Sequence, residues 1–156
     1  MANYDYPPIN RGEEDTQQRT DGNWEEKLTL LVNQAEPREL SLWLLGCLRH
    51  VVSPASIHLL DEMIQWYAQA DEKLRWQIFH HAEALGFETP AGALALSLFW
   101  SQGSMSPEGL EPVYPEPHLS AEMRRCVLIM LATHDTDNPA DRVHQLLTQW
   151  ANKEKS

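Results

Sequence analysis

Apolar residues recur three and four positions apart along most of the chain, the spacing at which they line one face of an α-helix. This pattern predicts six or seven helices between residues 23 and 152. Three predicted helix starts pair a capping residue with a proline, at Ser53-Pro54, Thr89-Pro90 and Asn138-Pro139. The positions assigned to the core on this basis include Leu28, Leu31, Val32, Leu40, Trp43, Leu44, Cys47, Leu48, Ile57, Leu60, Met63, Ile64, Leu74, Ile78, Phe79, Ala82, Leu85, Val143, Leu146 and Trp150.

Two segments have no polar face and should form the centre of the molecule. They are AGALALSLFW, which follows Thr89-Pro90, and CVLIML, in a helix whose predicted cap is Ser120. Each of the three cap-proline starts is followed by a tryptophan 10 to 12 residues after the proline, which favours repeated helical hairpins. The predicted fold is therefore an all-α single domain of helices stacked as antiparallel hairpins.

A proline-rich stretch, FWSQGSMSPEGLEPVYPEPHLS at residues 99–120, interrupts the helical pattern. Proline fixes φ and pushes the preceding residue toward extended geometry, so this segment should be an extended loop. Its apolar residues, which include Leu110, Val113 and Tyr114, predict a strap that packs across the helices. A segment that binds a partner through the same residues is the alternative.

The two ends of the chain differ in composition from the helical region. Residues 1–22 are polar and lack periodicity, which predicts a flexible N-terminal arm, and residues 153–156 are a charged tail. The opening MANYDYPPIN has no basic segment and no apolar segment of the kind found in a signal peptide, so we expect a cytoplasmic location.

The formal net charge of −11 limits the classes of partner. An anionic surface disfavours nucleic acids and acidic membranes, because binding to these requires clustered Lys and Arg. It is compatible with a protein partner, in particular a basic one, through long-range attraction. The two cysteines, Cys47 and Cys126, lie in apolar helical context, which indicates small buried side chains and not a disulfide. The oligomeric state is left open.

No motif in the chain predicts catalysis, a cofactor or a metal. His80 and Glu83 are three residues apart on one helix, with His81 beside them, but no third ligand is evident. The sequence HDTDN, residues 134–138, lacks the glycine and distal glutamate of a calcium loop. The serines around Gly103 follow a helix, whereas a nucleophile elbow follows a strand.

One stretch, DEKLRWQIFHHAEALGFETPAGALALSLFWSQGSMSP, resembles a bacterial family of small helical proteins of unknown function. The resemblance rests on Arg75, on Thr89-Pro90 and on a Phe/Trp-Ser-x-Gly-Ser turn at residues 99–104, where Gln102 replaces a second glycine found in many members. It implies no established activity. Some members are similar to proteins encoded near type VI secretion loci, which implies an accessory or adaptor role in secretion.

The function expected from the sequence is a non-enzymatic, cytoplasmic protein-interaction module. The alternatives are an immunity protein that neutralises a basic toxin and an enzyme with a metal-dependent site at His80 and His81. Gly103 should occupy a turn with positive φ, and Arg75 should be a buried charge that bonds the foot of the proline-rich loop. The candidate residues for structure or for partner binding are Arg75, Trp100, Gly103, Ser104, Val113 and Tyr114.

Overall fold

The computed structural model describes residues 23–155, and the predicted N-terminal arm lies outside these residues. The described chain contains seven helices and no strand, so the predicted all-α class is confirmed. In chain order the helices are α1 (Trp24–Gln34), α2 (Pro37–Leu48), α3 (Pro54–Ala68), α4 (Glu72–Leu85), α5 (Pro90–Ser101), α6 (Leu119–Thr133) and α7 (Pro139–Lys155).

Side chains at the helix starts satisfy backbone N–H groups that have no partner within the helix. The Asp71 carboxylate accepts from Lys73 N, and the Thr89 hydroxyl accepts from Gly92 N at 3.1 Å. The predicted cap at Ser120 is wrong, because α6 already begins at Leu119. Ser120 instead lies inside the helix and donates to the carbonyl of Ser97 at 2.6 Å, which ties α6 to α5.

Helix α5 is the centre of the molecule, as its composition predicts. Every residue from Ala91 to Phe99 is buried, and α5 packs most extensively against α6 and then against α4. None of the helices between residues 23 and 155 combines the length and apolarity needed to cross a lipid bilayer. The neighbouring helices, chiefly α6 and α4, bury α5.

The order of packing differs from a linear stack of hairpins. Successive helices from α2 to α7 contact one another, but α1 packs against α6 and α7 more than against its neighbour α2. The helices thus surround the α5–α6 pair. The apolar face of α1, formed by Leu28, Leu31 and Val32, covers a side of α6 that would otherwise face water.

Two details at the edge of the core differ from the pattern. Ile64, assigned to the core, is 37% exposed, and the buried face of α3 there is formed by Met63 and Trp66, three residues apart. Helix α7 continues to Lys155, three residues past the predicted limit of the domain at 152, so most of the predicted charged tail is helical. The buried apolar face of α7, formed by Val143, Leu146 and Trp150, packs on the core.

Candidate functional site

The proline-rich segment forms a loop that projects from the helices, residues 102–118, hereafter the projecting loop. Three of its large apolar side chains are exposed to solvent: Leu110 by 65%, Val113 by 50% and Tyr114 by 68%. The prediction that these three residues pack on the helices is therefore wrong. Hydrogen bonds made by the side chains of Ser104 and Arg75 to the loop backbone hold the loop, while these three apolar side chains remain exposed.

Ser104 joins the two sides of the projecting loop. Its Oγ accepts from the backbone N of Val113 at 2.9 Å and from Ser106 N at 2.9 Å. The backbone N of Met105 donates to the carbonyl of Val113 at 2.6 Å. These bonds join Ser104 and Met105 to Val113, nine positions after Ser104. They fix the backbone of Val113 while its side chain is exposed.

Arg75 anchors the foot of the projecting loop from α4. The guanidinium is 1% exposed and donates to two carbonyls, that of Phe99 at 2.8 Å and that of Ser104 at 3.0 Å. Its Nη1 also donates to the Glu72 carboxylate at 2.9 Å. The expected burial of Arg75 and its bonds to carbonyls and an acid are present in the structure. The Arg75 side chain thus satisfies a backbone carbonyl at the end of α5 and another at the start of the projecting loop.

The environment of Arg75 compensates part of the cost of burying its charge. The guanidinium carbon lies 4.0 Å from the centre of the Phe99 ring, a cation–π arrangement. Burial lowers the pKa of Arg75, and the Glu72 carboxylate acts in the opposite direction. An arginine nevertheless remains charged at neutral pH, so the loop foot contains a permanent buried cation.

Gly103 allows the chain to pass close to this cation. Its φ is +87°, the left-handed region that favours glycine, as the sequence predicts. A Cβ built on Gly103 would lie 2.8 Å from the guanidinium carbon of Arg75. Both the backbone conformation and the lack of space therefore require glycine here.

A cleft of about 760 Å³ separates the projecting loop from α4. On the helix side it is lined by Glu72, Lys73, Trp76 and His80. On the loop side it is lined by Ser104, Ser106, Pro107, Glu108, Gly109, Leu110 and Pro112. The cleft is therefore bounded by an aromatic ring, aliphatic carbon and carboxylates, a surface suited to a peptide or side chain from another protein.

The charge around this cleft is predominantly negative. Residues 76–123 contain no Lys or Arg. The loop itself carries three glutamates, Glu108, Glu111 and Glu116, all of them exposed. Lys73 is the single formal cation among the cleft residues. A positively charged ligand would meet little repulsion here.

A second cleft, of about 300 Å³, contains a buried cation with incomplete hydrogen bonding. Arg124 on α6 is 6% exposed and donates from Nη1 to Ser120 Oγ at 2.7 Å, while its Nε has no partner. Ser41 Oγ, in the same cleft, also has none. Burial lowers the pKa of Arg124. No sequence pattern indicates this site, because its residues come from α2, α3, α5 and α6, which must pack before the cleft exists.

One group of His and Glu side chains in the described chain has the proximity of metal ligands: His58, Glu62 and His81. His81 belongs to the histidine pair singled out in the sequence, but its partners lie on α3. His80 and Glu83 instead form an exposed pair at 3.7 Å on the surface of α4. The i, i+4 spacing of His58 and Glu62 was the available signal in the sequence.

The six candidate residues from the sequence do not all reach one site. Arg75, Gly103 and Ser104 meet at the foot of the projecting loop, and Val113 is fixed by Ser104. Tyr114 follows on the exposed side of the same loop. Trp100 is half-buried in the last turn of α5 and does not line the cleft.

A protein-family model described as "Family of unknown function (DUF6931)" matches residues 16–151. The match includes the projecting loop, its anchor Arg75 and nearly all of the helical structure. Comparisons with curated proteins and with solved structures gave no match.

Proposed function

Since the chain belongs to this family of unknown function, we propose a role from its geometry: it is a protein-interaction module that binds a basic partner segment through the projecting loop. The observation that carries the proposal is the exposure of Leu110, Val113 and Tyr114 on a loop whose backbone is fixed. A loop that only connected α5 to α6 would not need to present three large apolar side chains to water.

The fixed backbone favours binding because less conformational entropy remains to be lost. Four prolines restrict φ along the segment. The bonds of Ser104 to Val113 and of Arg75 to Ser104 restrain both ends of the closed part. A preorganised surface gains affinity mainly because ordering costs little on association.

The charge of the loop selects the chemistry of the partner. Exposed glutamates stand on both sides of Val113 and Tyr114, and no Lys or Arg occurs from residue 76 to 123. Such a rim should accelerate encounter with a basic segment, while an apolar residue of that segment enters the cleft beside Trp76. The N-terminal arm carries further acidic residues, among them Glu13, Glu14, Asp15 and Asp21, but it lies outside the described residues.

A more specific role follows from the sequence resemblance alone. It supports a cytoplasmic accessory or adaptor protein of a bacterial secretion system. An immunity protein that neutralises a basic toxin has the same requirement for a basic partner. The identity of the partner decides between these two roles.

The test is affinity capture from the native host with three full-length baits: the wild type, Tyr114→Ala and Leu30→Ala. Leu30 is the matched control, because it is a large apolar residue 55% exposed on α1 and outside the projecting loop. We expect a basic protein that is captured by the wild type and by Leu30→Ala but is depleted with Tyr114→Ala.

Association kinetics with the captured protein then separate the two contributions. The association rate should fall when the ionic strength is raised, because the Debye length shortens to about 3 Å at 1 M salt. The dissociation rate should rise in Tyr114→Ala. A partner retained equally by all three baits would contradict the assignment of the loop as the binding surface.

A further inference from the structure

His58, Glu62 and His81 form a compact donor cluster between α3 and α4. His58 and Glu62 are one helical turn apart on α3, and His81 approaches from α4. One donor atom from each side chain lies within 4.8 Å of the other two. The cluster lies on the side of α4 that meets α3, whereas the projecting loop faces Trp76 and His80.

Glu62 is the buried member of the cluster. It is 4% exposed, and both carboxylate oxygens have close partners. Oε1 accepts from His81 Nδ1 at 2.6 Å, and Oε2 accepts from Gln77 Nε2 at 2.6 Å. A buried carboxylate needs a compensating positive charge, and the nearest groups that can supply one within the cluster are the two imidazoles.

The two histidines stand toward solvent above Glu62. The side chain of His58 is 70% exposed and that of His81 is 44% exposed. Their rings lie 5.2 Å apart, and His58 Nε2 is 3.8 Å from Glu62 Oε2. A cleft of about 190 Å³, lined by both histidines, opens beside them. The cluster therefore has a fixed inner donor and two adjustable outer donors.

We propose that His58, Glu62 and His81 bind one divalent transition-metal ion, with zinc as the probe. Two imidazoles and one carboxylate are a donor set that suits Zn²⁺ and disfavours Mg²⁺ or Ca²⁺, which take oxygen ligands. The metal takes the position of the hydrogen that His81 Nδ1 donates to Glu62 Oε1, and the imidazole then carries its hydrogen on Nε2. Its positive charge then compensates the buried carboxylate.

The geometry requires only a small adjustment. With metal–ligand bonds of about 2.0–2.1 Å in a tetrahedral site, neighbouring donor atoms lie about 3.3 Å apart. The distance from His81 Nδ1 to Glu62 Oε1 must widen from 2.6 Å. The His58 ring must move inward, which its exposed position on the helix allows. Gln77 holds the carboxylate from behind, as a residue that orients a metal ligand does. Three protein ligands leave a position for water or for a donor from another molecule.

The test is isothermal titration of the chelator-treated full-length protein with zinc chloride. The variant is His58→Ala. His58 is 70% exposed, makes no hydrogen bond to Glu62 at 3.8 Å and otherwise touches only the His81 ring within the cluster, so the metal-free melting temperature should stay close to that of the wild type. The control is His80→Ala, which removes an exposed histidine one residue from His81. Gln77→Leu tests the orienting role.

We expect one zinc per chain in the wild type and in His80→Ala. Affinity should fall more than about tenfold in His58→Ala and about 10–100-fold in Gln77→Leu. Cobalt substituted for zinc should give a visible absorption band that His58→Ala lacks. The proposal is overturned by the absence of saturable zinc binding, by wild-type zinc affinity in His58→Ala, or by an equal loss of affinity in His80→Ala. These results are independent of partner binding by the projecting loop.

Discussion

Replacement of Gly103 by alanine should destabilise the protein far more than the same change at Gly109. Both glycines lie in the projecting loop and both have positive φ, +87° at Gly103 and +93° at Gly109. They differ in surroundings. A Cβ at Gly103 would lie 2.8 Å from Arg75, whereas a Cβ at Gly109 has no atom within 4 Å. The pair therefore separates backbone strain from displacement of the buried arginine.

The two contributions can be estimated separately. A non-glycine residue in the left-handed region costs about 1–2 kcal/mol. A Cβ at Gly103 must also move the Arg75 guanidinium, which weakens its hydrogen bond to the carbonyl of Ser104. A hydrogen bond to a charged group contributes about 1.5–3 kcal/mol. We expect a loss of about 1–2 kcal/mol in Gly109→Ala and about 2.5–5 kcal/mol in Gly103→Ala.

The assay is urea denaturation followed by tryptophan fluorescence, for which the chain has six tryptophans. Gly103→Ala is measured again in an Arg75→Ala background, in which the added methyl group has no guanidinium to meet. Its cost there should fall to that of Gly109→Ala, and the difference is the coupling between the two positions.

Two results would refute this reasoning. Equal costs for the two glycine variants would mean that Arg75 imposes no steric requirement on the loop. An unchanged cost of Gly103→Ala without Arg75 would mean that the loss arises from the backbone alone.

Three further perturbations have defined outcomes. Arg75→Lys keeps the charge but loses the planar guanidinium that reaches the carbonyls of Phe99 and Ser104. The free energy of unfolding should fall by about 1–3 kcal/mol, and hydrogen exchange at the Val113 amide should accelerate. Unchanged exchange would argue against Arg75 as the anchor of the loop. Arg124→Met removes a buried cation that has an unpaired Nε and no carboxylate at ion-pair distance in the described chain. Urea denaturation should therefore show equal or greater stability. A fall of more than about 2 kcal/mol in the free energy of unfolding would contradict this expectation. Burial raises the pKa of Cys47 to about 11 from 9.0, so stability should be highest below pH 9 and decline as the pH rises through 11. Cys47→Ala should reduce that decline, and an identical pH profile in the variant would contradict the shift.

The helices could be predicted because their signals are local. The spacing of Leu74, Ile78 and Ala82 identifies the buried face of α4, and Asp71 and Gly86 mark its two ends. The central place of α5 follows from a segment with no polar face. These properties depend on residues within about four positions of one another, so no tertiary information is needed.

The candidate sites depend on packing and were predicted only in part. The burial of Arg75 could be anticipated, but its bond to Ser104 joins residues 29 positions apart. The exposure of Tyr114 could not, because composition does not show that hydrogen bonds of Ser104 fasten the loop in place of apolar contacts. His81 meets Glu62 only because α3 and α4 pack side by side, whereas His80, one residue earlier, points to solvent.

The most direct test of the central claim is the equilibrium affinity of the captured basic protein for the wild type, Tyr114→Ala and Leu30→Ala. Removal of an aromatic anchor at the centre of an interface typically costs about 2 kcal/mol or more, which is roughly a 30-fold loss of affinity. The account predicts a loss of this size in Tyr114→Ala and wild-type affinity in Leu30→Ala. Wild-type affinity in Tyr114→Ala would contradict it and leave the projecting loop as a connection between α5 and α6.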